Sequence, residues 1–231
     1  MIIGITSDLH GYLPQIQPCK ALCICGDIIP LNIQCDINKS AKWFKNVFIP
    51  WVMETPCEHV YFIAGNHDFY LQYLCFKKTR GDVYKVLEKP TNGKLIFLYD
   101  EIALIPNEKS FLSIYGTPWC HTFGNWAFMR DDGDLTCIYD KIPDFVDILI
   151  THDAPTLNGV GMIHEGRYSG EEAGNEVLSY AIIKKTPKYV FCGHIHSGEH
   201  EIQTVGSTKI ANTSIMNEAY KPVNKILYIN I

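Results

Sequence analysis

Short apolar runs recur along this chain, and five of them end abruptly at glycine or polar residues. The five runs cover positions 2–5, 21–25, 60–64, 148–150 and 189–192. Apolar runs of this length, bounded by such residues, are typical of buried strands in an α/β fold. Because the C-terminal ends of such strands carry the ligand sites of α/β sheets, five similar endings predict one shared site.

The polar residues that follow these runs are all able to bind a metal ion or to move a proton. They are Asp8, His10, Asp27, Asn66, His67, Asp68, His152, His194 and His196. Oxygen and imidazole donors without a thiolate suit Mn²⁺, Fe or Zn²⁺ with five or six ligands, whereas a structural zinc site more often uses cysteine. One ion needs fewer donors than this, so we expect two ions that share a bridging carboxylate.

Apolar residues at helical spacing predict helices that cover the sheets. One helix is expected over residues 38–50, ending or kinking at Pro50. Its inward face would carry Phe44, Val47, Phe48 and Trp51. Another helix is expected over residues 174–185. Its inward face would carry Val177, Leu178, Ala181 and Ile182.

The rest of the pattern predicts further strands. They are expected at 94–99, at 101–106 and 111–115 as an antiparallel pair across a polar turn at 107–110, and in strand pairs between 199 and 231. Residues 69–88 would be helical or irregular, 116–128 a packed aromatic loop, and 156–173 a polar, glycine-rich segment. Strands separated by helices early in the chain, followed by denser strands, predict an α/β sandwich of mixed sheets with helices outside. We expect one domain over residues 1–231.

Composition narrows the class of protein. The chain is 47% hydrophobic and 19% charged, which is ordinary for a globular protein. Its net charge of −5 argues against an extended surface for nucleic acid. The N-terminus has no signal-peptide pattern and no apolar run is long enough to cross a membrane, so we expect a cytoplasmic protein without a membrane partner.

The cysteines fit that compartment. Nine of them make an odd number, and Cys23, Cys25 and Cys192 lie inside predicted strands, as expected of reduced, buried thiols. The pair Cys23-x-Cys25 has the residue type for a metal site. Because it has no partner pair and lies on an apolar strand, core packing is the favoured reading.

The polar blocks also resemble a known family. Asp8-x-His10, Gly26-Asp27, Gly65-Asn66-His67-Asp68, His152 and Gly193-His194-x-His196 are similar to the five ordered blocks of the calcineurin-like metallophosphoesterases. That resemblance implies a four-layer αββα sandwich. It also implies that Asp8, His10 and His196 bind one ion, that Asn66, His152 and His194 bind the other, and that Asp27 bridges them.

A closer resemblance points to one branch of that family. The segments Thr117-Pro118-Trp119, Trp126-Ala127-Phe128, Thr151-His152 with Pro155, Asn212-Thr213-Ser214 and Tyr220-x-Pro222-Val223-Asn224 are similar to small stand-alone metallophosphoesterase-domain proteins, grouped with class III cyclic nucleotide phosphodiesterases. Residues 156–173 depart from that pattern.

The donor set suggests a two-metal hydrolysis. Ions about 3.5–4 Å apart would share a hydroxide that attacks phosphorus in line, with Mn²⁺ the expected metal and Fe or Zn²⁺ the alternatives. His67 would protonate the leaving alkoxide and Asp68 would orient the His67 ring, although a helix-capping or loop role for Asp68 fits equally well.

The branch resemblance favours a small phosphodiester substrate of the nucleotide type. A phosphomonoesterase acting on phosphoprotein or nucleotide is the alternative within enzymes. The alternative that is not an enzyme is a non-catalytic scaffold protein. Such a protein should have lost some of the metal ligands, whereas all seven implied metal ligands are present.

The other candidate residues have ordinary structural readings. Trp119, Phe123, Trp126 and Phe128 are able to stack on a nucleobase, but core packing is favoured, with His121 and Asn125 the exposed members of that loop. A structural role is favoured for His121, a solvated one for Arg130 and Arg167, and a surface or core position for His59, His164 and His200.

Overall fold

The computed structural model describes residues 1–107 and 110–231. The helices are α1 Ile37–Trp43, α2 Ile49–Glu54, α3 Phe69–Lys77, α4 Arg80–Leu87, α5 Asp132–Tyr139 and α6 Glu176–Lys185, with a π-helical turn at Phe44–Phe48 and a 3-10 turn at Lys89–Thr91. The strands are β1 Ile2–Thr6, β2 Cys19–Cys25, β3 Cys57–Ile63, β4 Leu95–Phe97, β5 Glu101–Pro106, β6 Phe111–Thr117, β7 Cys120–His121, β8 Met129–Arg130, β9 Ile148–Thr151, β10 Tyr189–Cys192, β11 Gln203–Val205, β12 Thr208–Asn212 and β13 Leu227–Asn230.

Most of the strands form two mixed sheets. The first has the order β13-β1-β2-β3-β4, in which β1 to β4 are parallel and β13 is antiparallel to β1. The second has the order β11-β12-β10-β9-β6-β5, with a parallel centre and an antiparallel strand at each edge. The short strands β7 and β8 pair separately. Parallel strands bring their carboxyl ends to one edge, and that edge carries the polar blocks.

The inner faces of the two sheets pack on each other. One apolar cluster combines side chains of the first sheet, such as Ile5 and Ile63, with side chains of the second, such as Ile150 and Phe191. The approach is so close at Gly116 that a Cβ atom there would lie 2.5 Å from the Cβ of Leu98. This contact makes the inner two layers of a four-layer structure.

Helices cover the two outer faces. The rings of Phe44 and Phe48, from the π-helical turn, each lie 6.0 Å from the ring of Phe62 in β3. On the other side, Leu178 of α6 is buried in one apolar cluster with Val190 of β10. The predicted αββα sandwich is therefore confirmed, and the prediction of one domain over residues 1–231 stays a prediction.

The first covering helix differs from its prediction. It runs past Pro50 to Glu54, and the irregularity is the π-helical turn immediately before the proline, where the Ile49 N–H bonds to the Phe44 carbonyl. The wider turn rotates Val47 outward, and 41% of its surface is exposed, so its predicted inward position is wrong. Pro50 occupies the first turn of α2, where its missing N–H costs little.

The later elements follow the pattern with two differences. Strands β5 and β6 are antiparallel as predicted, but Glu108 and Lys109 of the expected turn lie outside the described residues. The C-terminal strand β13 joins the first sheet beside β1 rather than pairing with its neighbours in the chain. Residues 69–88 form helices α3 and α4. Within the described residues, no helix is long and apolar enough to cross a membrane.

Candidate metal centre

The two sheets meet at the edge where the five polar blocks lie. The Ser7 hydroxyl donates to the Cys25 carbonyl at 3.0 Å. Ser7, which follows β1 of the first sheet, also forms an isolated β-bridge with Ser214, which follows β12 of the second. Glycines permit the close approach: a Cβ on Gly193 would overlap Ser7 Oγ and Asp8 Oδ2, and one on Gly65 would overlap Asp27 Oδ1. A larger residue at either position would push the donors apart.

Three of the predicted ligands form a first cluster, Asp8, His10 and His196, with one donor atom each within 4.8 Å of the others. His196 Nε2 lies 3.5 Å from Asp8 Oδ1 and 3.4 Å from His10 Nε2. The His196 Nδ1–H donates to the Asn217 carbonyl at 3.0 Å. A carbonyl only accepts, so this bond fixes the tautomer and leaves Nε2 free to bind a cation.

Three others form a second cluster around the side-chain oxygen of Asn66. Asn66 Oδ1 lies 2.9 Å from His152 Nε2 and 2.9 Å from His194 Nδ1. The His152 Nδ1–H donates to the Cys25 carbonyl at 2.8 Å, which again directs Nε2 into the cluster. Two atoms with lone pairs stay this close only with a proton or a cation between them.

Asp27 lies between the two clusters. Its Oδ2 is 3.4 Å from His152 Nε2 and 3.7 Å from His10 Nε2, whereas its Oδ1 accepts a hydrogen bond from the His67 N–H at 2.8 Å. One carboxylate oxygen therefore faces both sets of donors, while the other is fixed by the backbone. This is the arrangement that a bridging ligand requires.

Four of these residues have a backbone conformation that residues other than glycine seldom adopt. The φ angles are +55° at Asp8, +42° at His10, +54° at Asp27 and +69° at His194. Each such residue costs about 1–3 kcal/mol and persists where the surrounding structure holds it. Strain concentrated on donor-bearing residues is characteristic of a functional site, and the donor set fits two divalent cations.

Burial and charge set the protonation of the clusters. Burial lowers the pKa of both His10 and His194 to about 4, so both rings are neutral near pH 7. Burial also opposes ionisation of Asp8, but the hydrogen bond and charge of His196 outweigh it and hold the pKa of Asp8 below its usual range. Despite burial, Asp27 raises the pKa of His152 to about 10, so a bound cation would displace a proton from this ring.

Asp68 does not orient His67 in the way that the sequence suggested. Its Oδ1 accepts hydrogen bonds at 3.0 Å from the N–H groups of Ile28 and Ile29, and its Oδ2 accepts one at 2.8 Å from Gly65. The carboxylate thus joins the loop after β2 to the loop after β3. It makes no side-chain capping bond to α3, so the loop role is the one that the structure supports.

The His67 ring has a different partner, Gln34. His67 Nδ1 contacts Gln34 Oε1, and His67 Nε2 faces the centre, 3.9 Å from Asp27 Oδ2. No sequence pattern indicates Gln34, because it lies in an irregular segment distant from His67 in the chain. Only the closed fold brings the two loops together.

Exposed aromatic side chains surround the centre and line a cavity of about 200 Å³. Trp126 lies 4.6 Å from the His67 ring, Phe123 lies 5.1 Å from the His194 ring, and Tyr220 lies 4.9 Å from the His196 ring. Their exposed fractions are 36%, 50% and 43%. We call these three residues the aromatic rim.

The aromatic loop is therefore divided between core and cavity. Trp119 and Phe128 are buried, as expected, but Phe123 and Trp126 are not, and the expectation that they belong to the core is wrong. Cys120 was not foreseen: its sulfur lies within 4.8 Å of donor nitrogens of His152 and His194. Burial raises the pKa of this thiol well above its usual range, so it is neutral when no cation is bound nearby.

The remaining candidates have structural partners. His121 Nδ1 bonds to Asp153 Oδ2 at 2.8 Å, and this bond raises the pKa of His121. Arg130 stacks on Trp119 at 4.4 Å, and Arg167 lies 5.5 Å from the ring of Tyr168. None of these contacts involves a predicted ligand.

Known proteins are similar to this chain in sequence and in fold. Residues 1–198 match the family model described as calcineurin-like phosphoesterase. Metallophosphoesterase domain-containing protein 1 of Homo sapiens is 28% identical across 97% of this chain and 69% of its own length. A UPF0046 protein of Caenorhabditis elegans is 27% identical across 93% and 75%. Phosphopantetheinyl hydrolase from Mycobacterium tuberculosis, at 10% identity, shares the fold with a TM-score of 0.53 over 94% of this chain and 90% of that one.

The loop role of Asp68 predicts that its loss reduces stability. In Asp68→Asn, an amide N–H would face the Gly65 N–H, and the lost bond should lower the free energy of unfolding by about 1–3 kcal/mol. We expect a smaller loss in His67→Asn. The measurement is urea unfolding of metal-free protein at pH 8, where Asp68, whose pKa burial raises to about 7, is ionised.

Asp132→Asn, which changes an exposed carboxylate in α5, is the matched control and should unfold like the parent protein. If Asp68→Asn also unfolded like the parent, or if His67→Asn lost more stability, Asp68 would not be the residue that joins the two loops.

Proposed function

The chain belongs to the calcineurin-like phosphoesterase family, and from this membership we propose that it is a binuclear metal-dependent phosphodiesterase acting on a nucleotide-type substrate. The observation that carries the proposal is the position of Asp27 Oδ2 between two clusters of donors, 3.4 Å from His152 Nε2 and 3.7 Å from His10 Nε2. A single carboxylate oxygen shared in this way supports two adjacent ions rather than one.

The residues of the two clusters divide between the ions. We assign Asp8, His10 and His196 to one, Asn66, His152 and His194 to the other, and Asp27 to both. Mn²⁺ is the proposed metal, because oxygen and imidazole donors prevail, with Fe and Zn²⁺ as alternatives. Bound ions supply charge stabilisation and an activated water.

His67 is the proposed proton donor to the leaving group. Gln34 Oε1 accepts the hydrogen on His67 Nδ1, so a protonated ring directs its Nε2–H toward the centre. General acid catalysis of this kind contributes about 10²–10⁴-fold to the rate. Gln34 holds the ring in position through one hydrogen bond and does not itself touch the substrate.

Charge around the cavity supports a diester over a monoester. Among the described residues, the cavity lining includes the Glu218 carboxylate and no lysine or arginine. Glu218 is held in place by hydrogen bonds from the N–H and hydroxyl groups of Ser197, at 3.0 and 2.7 Å. A phosphomonoester carries close to two negative charges near pH 7 and a diester only one, so a nearby carboxylate disfavours the monoester more.

The aromatic rim supports a substrate that carries a nucleobase. Hydrogen bonds tie both of its loops to donor residues: the Ala127 N–H donates to the Asn66 carbonyl at 2.9 Å, and the Asn217 carbonyl accepts from both His196 Nδ1 and the Tyr220 N–H. Exposed rings at fixed positions beside the proposed metal ligands are suited to stacking on a nucleobase while the phosphate lies at the metal centre.

The proposed function predicts that diesters are hydrolysed faster than monoesters. With Mn²⁺, turnover of bis-p-nitrophenyl phosphate should exceed that of p-nitrophenyl phosphate, and Asp27→Asn should abolish both activities and reduce bound metal. Asp132→Asn, at an exposed position in α5, is the control. Turnover of cyclic nucleotides, dinucleotides and monophosphates is then measured with each of Mn²⁺, Zn²⁺ and Mg²⁺.

Faster turnover of the monoester would identify a phosphomonoesterase instead. Two bound ions without turnover of any substrate would identify a non-catalytic binding protein.

The role of His67 predicts a dependence on the leaving group. His67→Asn should slow hydrolysis of an alkyl diester by about 10²–10⁴-fold, but should slow that of a p-nitrophenyl ester far less, because p-nitrophenolate leaves without a proton. Gln34→Leu should also slow the alkyl diester more than the p-nitrophenyl ester, but with a smaller loss of rate than His67→Asn. Bound metal is measured in each variant, and Gln72→Leu in α3 is the control for loss of a glutamine. An equal loss with both esters would exclude proton donation by His67.

The aromatic rim predicts tighter binding of a nucleotide than of the same phosphate without a base. By calorimetry, metal-loaded protein should bind AMP about 5–150-fold more tightly than ribose 5-phosphate, the equivalent of about 1–3 kcal/mol of stacking. Phe123→Leu and Trp126→Leu should reduce this ratio without changing the affinity for ribose 5-phosphate. Phe145→Leu, at a residue that is 79% exposed and outside the cavity, is the control. A ratio near one in the parent protein would exclude base stacking while leaving the hydrolytic function intact.

A further inference from the structure

Two cysteines at the other end of the first sheet hold their sulfur atoms in contact. Cys19 begins β2 and Cys57 begins β3, and the two residues are directly paired across these parallel strands. Their Sγ atoms are 2.9 Å apart. Within residues 1–107 and 110–231, no other two cysteine sulfurs make such a contact.

The backbone positions of this pair are compatible with a disulfide. Neighbouring strands lie about 4.7–4.9 Å apart, and disulfides join residues whose Cα atoms are about 4.4–6.8 Å apart. Since the two Sγ atoms already face each other at 2.9 Å, a bond between them requires only a small further approach. Cys19 is half-buried, so a small oxidant reaches it from the start of the sheet.

The surroundings of the pair make the two sulfurs chemically different. The two sulfurs share a hydrogen bond in which either is able to donate. The contact with Cys57 lowers the pKa of Cys19 against the effect of burial, and the Gly4 N–H and the nearby Lys94 ammonium lower it further. Lys94 is fixed in place because its Nζ donates to the carbonyls of Thr55 and Met53, at 2.6 and 3.2 Å. Two thiols in contact, one of them beside a backbone N–H group and an ammonium, have the arrangement of a reactive cysteine with a resolving partner.

We propose that Cys19 and Cys57 form a redox site, separate from the metal centre, that hydrogen peroxide converts reversibly into a disulfide. The Cys19 thiolate attacks one peroxide oxygen, the O–O bond breaks, and hydroxide leaves and takes up a proton as water, so that Cys19 becomes a sulfenic acid. The Cys57 sulfur then attacks the Cys19 sulfur and the S–O bond breaks. The departing hydroxide combines with the Cys57 proton as a second water. Two thiols are oxidised by two electrons in total, and one peroxide is reduced.

The position of the bond determines what it would change. It joins β2 to β3 at the ends farthest from Asp27 and Asn66, which follow these same strands at the opposite edge. It also closes a loop that contains α1, the π-helical turn and α2. We therefore expect the disulfide to stabilise the helix-covered half of the first sheet and to leave the metal centre unchanged.

The test is oxidation of the parent protein with equimolar hydrogen peroxide, followed by alkylation of free thiols and peptide mass mapping. We expect a peptide pair joining Cys19 to Cys57, two mass units lighter than the separate thiols and released by dithiothreitol. It should form before Cys35 and Cys137, the exposed cysteines, are oxidised. The oxidised protein should melt roughly 5–10 °C higher than the reduced protein.

Single variants separate the two steps. Cys57→Ser should accumulate a sulfenic acid on Cys19 that dimedone labels, Cys19→Ser should leave Cys57 unreacted, and Cys35→Ser should behave like the parent protein. Earlier oxidation of Cys35 and Cys137, with Cys19 and Cys57 still alkylated as free thiols, would overturn the proposal. This result needs only the parent protein, and it does not depend on phosphoesterase activity.

Discussion

The structure depends on keeping two carboxylates, Asp8 and Asp27, ionised where the two sheets meet. Both side chains are almost completely buried. An uncompensated buried charge is costly, and here the rings of His152 and His196 and the backbone N–H groups of His67 and His194 provide compensation. Because these partners come from both sheets, the charges are satisfied only after the sandwich has closed. The site and the four-layer fold therefore form together.

The compensation explains the unusual backbone around the site. At Asp8 and Asp27 a left-handed residue directs the carboxylate back over the end of its strand, toward the opposite sheet. Gly65 and Gly193 lie where any side chain would overlap these carboxylates or Ser7. Carbonyl groups at the strand ends and in the C-terminal loop then hold His152 and His196 by Nδ1. Strain at the donor-bearing residues persists because these surrounding contacts hold it.

The sequence predicted the parts of this arrangement that depend on strand ends. An apolar run followed by donors is a local pattern, and parallel pairing carries each donor to the same edge, so the fold class and one shared site follow from it. The grouping of Asp8, His10 and His196 was implied by the family resemblance instead. Contacts between loops have no such pattern. Gln34 beside His67, Asp68 between two loops, and Tyr220 over His196 all join segments that are distant in the chain. Val47 was misplaced for another reason, because a π-helical turn changes the period on which the prediction relied.

Strands β2 and β3 connect the two chemically active regions. Asp27 and Asn66, two of the proposed metal ligands, follow their carboxyl ends, and Cys19 and Cys57, whose sulfurs are in contact, lie at their amino ends. The strands are paired from Cys19 and Cys57 to Cys25 and Ile63, and they are buried on both faces from Ala21 and Val60 onward. Packing therefore fixes their spacing at the carboxyl ends independently of events at the amino ends. Oxidation at the thiols would thus change the stability of the half of the sandwich formed by the first sheet and its helices without changing the distance between the donors. A rigid pair of strands is therefore able to carry the cysteine pair at one end and the candidate metal centre at the other. A reaction at one end then leaves the geometry of the other unchanged.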